Sequence, residues 1–195
     1  IGISKTNFKN KKKPVIITEY YSKGSLNDII KKTSNKLTDT KKLIFIYGIA
    51  VAMSYIHSKN VLHRDLKTEN ILSDEQFHPK ISDFGLSTQI PDNSIGMTFE
   101  KSPICGTPAY IAPEIWKENK YSKASDVYSF AFIVYEIMTN KKPLTELNNA
   151  QIIYSVAIKG NRPKINKTIP ESYKMLIENC WNQNPANRPS FSDII

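Results

Sequence analysis

Two carboxylates, an amine and an amide are spaced in this chain so that they can surround one small volume. Asp65, Lys67 and Asn70 lie within the run His-Arg-Asp-Leu-Lys-Thr-Glu-Asn at 63–70, and Asp83 follows thirteen residues after Asn70 in the triplet Asp83, Phe84, Gly85. A carboxylate such as Asp65 can take a hydroxyl proton, and an ammonium such as Lys67 can neutralise a phosphate. The side-chain oxygens of Asn70 and Asp83 suit a hard divalent cation. Gly85 is the residue type that permits an unusual backbone turn beside the second carboxylate. These are parts for phosphoryl transfer, which asks a protein mainly to align oxygens and neutralise charge. Isolated Asp and Asn residues usually serve turns, but two motifs in this order, with further matches downstream, weigh against that reading here.

Such groups need rigid elements around them. Residues 70–72 and 79–82 read as two short strands about a turn at 74–78, which would bring Asp65 and Asp83 into register, with His78 exposed in the turn. Upstream, Leu43, Ile46, Ile49, Ala50, Met53 and Ile56 recur at helical spacing over 41–58 and read as core, with His57 a packing or capping residue at the helix end. The segment 125–139 is apolar on several faces, as in a fully buried helix, and Asp126 at its start complements the helix dipole. Amphipathic helices are expected over 147–159 and 169–181, separated by the breaker 160–163. At the other end, the runs 1–4 and 15–20 flank a lysine-rich turn and read as a hairpin, followed by a helix over 26–32. Between Gly85 and Gly106 the chain is rich in hydroxyl and turn residues, including Ser87, Thr88, Ser94, Thr98 and Ser102, which suits a loop that orders on modification.

The 195 residues fit one domain of ordinary globular composition, 40% hydrophobic and 23% charged. No apolar stretch is long enough to span a bilayer, and there is no signal peptide. Two cysteines, Cys105 and Cys180, make no disulfide framework and point to a reducing, cytoplasmic setting. The net charge of +9 raises nucleic acid as a partner, yet the lysines scatter through loops and helix faces. Their one dense cluster, 9–13, reads as a solvated hairpin tip without interleaved aromatics, so no nucleic-acid partner is expected. The chain begins at Ile1 and stops at Ile195 inside a helical pattern, which reads as a piece of a longer polypeptide.

The runs at 63–70 and 83–85, with Gly-Thr-Pro-Ala-Tyr-Ile-Ala-Pro-Glu at 106–114, resemble the catalytic loop, metal-binding triplet and substrate-docking segment of eukaryotic protein kinases. The likeness covers essentially the whole chain. It implies an α+β, protein-kinase-like fold, mainly the α-helical large lobe with the hinge and two small-lobe strands. Residues 1–20 would then be the end of the small lobe, and 21–195 the hinge and large lobe of a single, partial kinase domain. The resemblance implies ATP and Mg2+ as cofactors: Asp65 as the catalytic base, Lys67 at the transferring phosphate, Asn70 and Asp83 on magnesium, and Thr107 bridging Asp65 and Lys67. Thr18 would be the gatekeeper, and backbone groups near Glu19 and Tyr21 would meet the adenine edge. His63 would scaffold the catalytic loop and Asp126 would anchor its backbone. Arg64 would receive a phosphate from the activation segment, with Thr98 and Ser102 the preferred sites, so an upstream or self-activating kinase is an implied partner beside protein substrates. Glu114 and Arg188 would form the ion pair that fixes the docking segment, and Cys105 reads as packing.

Lys67 and Thr107 resemble serine/threonine kinases, while 126–130 and 180–191 resemble the tyrosine-kinase side; the mixture marks the tyrosine-kinase-like group, serine/threonine type. Ala131 stands where relatives usually have glycine. None of the seven glycines falls in a G-x-G-x-x-G pattern, and the strand lysine and helix glutamate of the ATP clamp are absent too. These 195 residues alone are therefore expected to be weakly active or inactive. The competing class is a pseudokinase-like scaffold, against which the presence of Asp65, Lys67, Asn70 and Asp83 counts. A small-molecule kinase is disfavoured by the docking segment around Thr107 and Pro113.

Overall fold

A computed structural model describes residues 2–5, 12, 15–32, 37–90 and 104–195. The expected hairpin is present: β1 (Gly2–Ser4) pairs antiparallel with β2 (Val15–Ile17), Ile3 opposite Ile16. Two of its apolar side chains face outward, Ile3 being 82% and Ile16 72% exposed. The chain then runs through residues 18–24 into α1 (Leu26–Lys32), where Asp28 and Ser25 bond reciprocally across the first turn.

The long helix α2 (Asp39–Ser58) starts at Thr38, whose hydroxyl accepts from the Lys41 amide. Ile46, Ile49, Ala50 and Met53 are buried as the periodicity predicts, but Leu43 is 54% exposed. The stretch 43–58 carries no charge, so apolar spacing alone does not separate the buried arc from the solvent side, which holds Leu43, Tyr47, Val51 and Tyr55. Gly48 is needed where α2 crosses a strand: a Cβ there would lie 2.6 Å from Pro79 Cγ.

After α2 come β3 (Val61–Leu62), the 63–70 run, β4 (Ile71–Ser73), β5 (Pro79–Ile81) and β6 (Thr88–Gln89). β4 pairs with β5 and β3 with β6, both antiparallel. The outgoing and returning strands therefore flank the 63–70 run and the 83–85 triplet. Past residue 104, α3 (Pro113–Glu118) ends on Asn119 in the left-handed conformation.

Helix α4 (Lys123–Thr139) opens on a Ser122/Ser125 capping box and closes on left-handed Asn140. It is the centre of the core, with Val127, Phe130, Ala131, Ile133, Val134 and Ile137 all at most 1% exposed. The expected helix at 147–159 is shorter and mixed. α5 (Asn149–Ile152), capped by Asn148, continues as a wider turn over Ile153–Ile158, in which the Lys159 amide reaches back to the Tyr154 carbonyl. Helix α6 (Glu171–Cys180) packs along α4, and α7 (Phe191–Ile194) sets Phe191 against His57 and Phe130.

Candidate active site

The 63–70 run is irregular, and its backbone is held from below by one buried side chain. Asp126, 2% exposed at the start of α4, accepts the His63 amide at 2.9 Å and the Arg64 amide at 3.0 Å, and His57 Nε2 donates to its Oδ2 at 2.9 Å. Desolvation works against its charge, but the hydrogen bonds from His57 and the two amides outweigh it and hold the carboxyl below its usual range. Arg64 takes a positive φ of 68°, a conformation that this pair of fixed amides stabilises. The sequence-based view of His57 as mere packing is corrected: it is the buried donor that orients the anchor.

His63 points the other way. Its Nε2 donates to the Ser82 carbonyl at 3.0 Å and its Nδ1 accepts the Asp65 amide at 3.3 Å, so the ring ties the run to the segment before Asp83 and its tautomer is set. Ser82 also donates its amide and its hydroxyl to the Asn70 carbonyl, each at 2.9 Å.

These anchors bring four of the sequence-selected residues together. Asp65 Oδ1 accepts both the amide and the hydroxyl of Thr107 at 3.1 Å. Its Oδ2 lies 2.7 Å from Lys67 Nζ and accepts from Asn70 Nδ2 at 3.1 Å, while the same Asn70 nitrogen donates to the Asp65 carbonyl at 2.8 Å. Lys67 in turn donates to Thr107 Oγ1 at 2.9 Å, which is the bridge the resemblance implied. Asn70 commits its nitrogen to Asp65, so its amide oxygen is the atom left for a cation, and no described residue bonds it.

Asp83 is exposed, with a single weak contact from the Gly85 amide at 3.3 Å. The unusual backbone is at Asp83 itself, φ 59° and ψ 71°, and not at Gly85 as expected from residue type. A short polar side chain that bonds the backbone two residues on tolerates that region. Two oxygen donors of this kind, Asn70 and Asp83, joined through Ser82, fit magnesium by chemistry. Among the described residues no group of three or more His, Cys, Asp or Glu gathers as a metal cluster.

Thr107 reaches Asp65 because Gly106 permits it. Gly106 has φ 107°, and a Cβ there would lie 2.9 Å from the Arg64 carbonyl. The following segment is fixed twice. Glu114 receives both terminal nitrogens of Arg188 at 2.8 Å, as the resemblance implied, and Arg188 further donates to the carbonyls of Asn182 and Ala124. Tyr110 donates to Glu136 of α4, which also accepts from Thr68 of the catalytic run at 3.2 Å. Burial drives the Glu136 carboxyl up to about 7, and burial followed by the Glu136 charge drives the Tyr110 hydroxyl well above its ordinary value.

Cys105 is more than packing. Arg64 Nη2 donates to its Sγ at 3.0 Å, its amide donates to the Tyr121 hydroxyl at 2.9 Å, and the Arg64 guanidinium stacks over the Tyr121 ring at 4.1 Å. Thr18, Glu19 and Tyr21 lie apart from this cluster, on the segment after β2, with Tyr21 donating to Glu19. Thr98 and Ser102 lie outside the described residues. His57, Ser82, Tyr110, Tyr121 and Glu136 had not been selected as parts of this assembly, because each acts through a partner far away in sequence.

A mostly helical α+β domain with a loop-borne Asp, Lys, Asn and Thr cluster is of the protein-kinase type. The family model for protein tyrosine and serine/threonine kinases matches residues 3–195. The chain is 41% identical over 180 residues to RGS domain-containing serine/threonine-protein kinase A of Dictyostelium discoideum, covering 92% of this chain and 15% of that protein. It is 37% identical over 185 residues to serine/threonine-protein kinase CTR1 of Arabidopsis thaliana, covering 92% of this chain and 22% of that protein. The chain belongs to the protein tyrosine and serine/threonine kinase family, and its likeness is to serine/threonine kinases of the tyrosine-kinase-like group. It spans less than a quarter of the length of either relative.

Proposed function

We propose that this chain is the hinge and large lobe (residues 21–195), with the last small-lobe strands (1–20), of an ATP-dependent kinase that phosphorylates serine or threonine hydroxyls of signalling proteins. The observation that carries the reading is the Asp65 carboxylate, clamped by Thr107 and Asn70 with Lys67 at 2.7 Å. Asp65 is the base for the substrate hydroxyl. Its donors from Thr107 and Asn70 are a backbone amide and short side chains, whereas the flexible stem of Lys67 lets the ammonium leave Oδ2 for the transferring phosphate and so frees a lone pair for the incoming hydroxyl. Thr107 holds the carboxylate during that exchange.

Asn70 and Asp83 are the magnesium ligands, and magnesium when bound supplies charge neutralisation on the phosphates. Thr18 borders the adenine pocket and backbone groups near Glu19 and Tyr21 bond the base. Arg64 receives the activating phosphate, placed by an upstream kinase or by the enzyme itself, at Thr98 or Ser102. No helix among the described residues is long and apolar enough to cross a membrane, and a cytoplasmic site of action follows from the thiol chemistry of the sequence.

The ATP clamp that these 195 residues lack makes them alone weakly active or inactive. The test is magnesium-dependent phosphate transfer from ATP to a generic protein substrate by the chain joined to its upstream small lobe, wild type beside Asp65→Asn. Transfer lost in Asp65→Asn, with phosphoserine or phosphothreonine formed by the wild type, is the expected result. A folded, nucleotide-binding wild type without transfer would replace this reading by a non-catalytic scaffold.

A further inference from the structure

The lysines that look scattered in the sequence are partly gathered in the fold. Two adjoining cavities of about 130 and 540 Å³ lie between the C-terminal end of α4 and the loop before α6, and they share Tyr135, Lys141 and Lys164 in their walls. Lys42, from the first turn of α2, lines one, and Lys142 lines the other. Thr139 and Thr168 add hydroxyls.

Lys42 is already paired with Asp39 at 2.9 Å, and Lys142 with Glu69 of the catalytic run. Lys141 and Lys164 are exposed and make no ion pair with any described carboxylate; Glu146 is the one acid that lines the groove with them. The negative end of α4 accounts for a lysine at its C-terminus. It does not account for Lys164, which arrives on a separate loop to face the same space. The Lys142 to Glu69 pair ties one wall of the larger cavity to the 63–70 run.

We infer that this groove docks an acidic segment of the protein substrate, with Lys141 and Lys164 as the specificity-determining cations. The inference rests on the kinase reading above and adds the class of substrate. Two unneutralised ammonium groups over a half-enclosed groove favour a run of Asp or Glu side chains by charge complementarity, and reject a basic segment. Thr168 and Asn166 on the wall of the smaller cavity add a hydroxyl and an amide that can bond the same carboxylates.

The test is binding of a short dye-labelled glutamate-rich peptide to the 195-residue chain by fluorescence anisotropy, beside the same peptide with glutamine for glutamate. The variants are Lys141→Glu/Lys164→Glu and a control, Lys59→Glu/Lys123→Glu, which makes the same charge change at the opposite ends of α2 and α4. At an ionic strength of about 0.15 M, the acidic peptide is expected to bind roughly tenfold more tightly than its glutamine counterpart. Lys141→Glu/Lys164→Glu should abolish that preference, and the control should keep most of it. Lys141→Gln/Lys164→Gln, which removes charge without reversing it, should give an intermediate loss. Equal binding of both peptides, or equal loss in groove and control variants, overturns the proposal. No turnover enters this measurement, so its failure leaves the phosphotransfer reading standing, and failure of Asp65→Asn to matter leaves the groove standing.

Discussion

Replacing Asp126 should damage the protein more than its distance from the chemistry suggests. In Asp126→Ala the His63 and Arg64 amides lose their acceptor in a buried place, at about 1–3 kcal/mol each, and His57 loses the partner of a buried pair, a change on the order of 3–5 kcal/mol when one side is removed. The three costs share one carboxylate and overlap, so the expected total is about 4 kcal/mol, against a domain stability on the order of 5–15 kcal/mol. Asp126→Asn keeps one acceptor oxygen and should cost about half as much, roughly 2 kcal/mol. With a urea dependence of about 2 kcal/mol per molar, Asp126→Ala moves the unfolding midpoint down by about 2 M, which circular dichroism reads directly. Because folding lowers the Asp126 carboxyl, its ionised form stabilises the fold above the unfolded value of about 4 and that stabilisation fades as pH falls through the folded value. The gap between wild type and Asp126→Asn must therefore narrow below about pH 4. His57→Ala added to Asp126→Ala should cost little more, since the pair is already broken. A loss below about 1 kcal/mol in Asp126→Ala, or full additivity with His57→Ala, would refute this account of how the catalytic run is held.

Two further outcomes follow from neighbouring contacts. Gly106→Ala forces a Cβ to within 2.9 Å of the Arg64 carbonyl at φ 107°; strain of about 1–3 kcal/mol should push Thr107 away from Asp65, so phosphate transfer by the complete kinase domain should fall by roughly 5- to 100-fold, one order per 1.4 kcal/mol, while the melting temperature drops only a few degrees. Glu136, raised to about 7 by burial from an unfolded value near 4.3, binds a proton more tightly in the folded chain, so its contribution to stability is fully present at low pH and is lost as pH rises from about 4.3 through about 7. Glu136→Gln, which is neutral throughout, should gain on the wild type by about 3 kcal/mol between pH 5 and pH 8 in urea titrations, and a difference that stays flat over that range would show that the carboxyl is not desolvated as its surroundings imply.

What was legible in the sequence lies within single loops. Asp65, Lys67 and Asn70 share one run, so residue type and spacing were enough to place these three in one cluster; Asp83, across one hairpin, bonds the Gly85 amide and none of the three. The hairpin β4–β5 and the buried helix α4 were readable because alternation and unbroken apolarity leave one solution each. Leu43 was misplaced because an uncharged helix offers two apolar faces, and tertiary packing selects one. The unusual turn went to Asp83 because its carboxylate can bond the Gly85 amide, a choice that residue propensity alone awards to glycine.

Glu136 was hidden because it acts between loops, whereas the Asp126 anchor and the Glu114–Arg188 pair were implied by the family resemblance and not by spacing. Asp126 and Glu136 are buried carboxylates and Glu114 a partly buried one, and the donors of each come from far along the chain: His57 and the His63 and Arg64 amides for the first, Tyr110 and Thr68 for the second, and Arg188 for the third. Two of the three sit on α4. That helix thus sets the catalytic run at one end and joins it to the docking segment near the other, so a substitution on α4 that touches no substrate still moves Asp65 relative to Thr107. The same geometry explains why the lysine groove could not be read in advance. Lys142 and Lys141 follow the end of α4, Lys164 arrives from the loop before α6, and only the packing of α6 against α4 puts their charges on one wall.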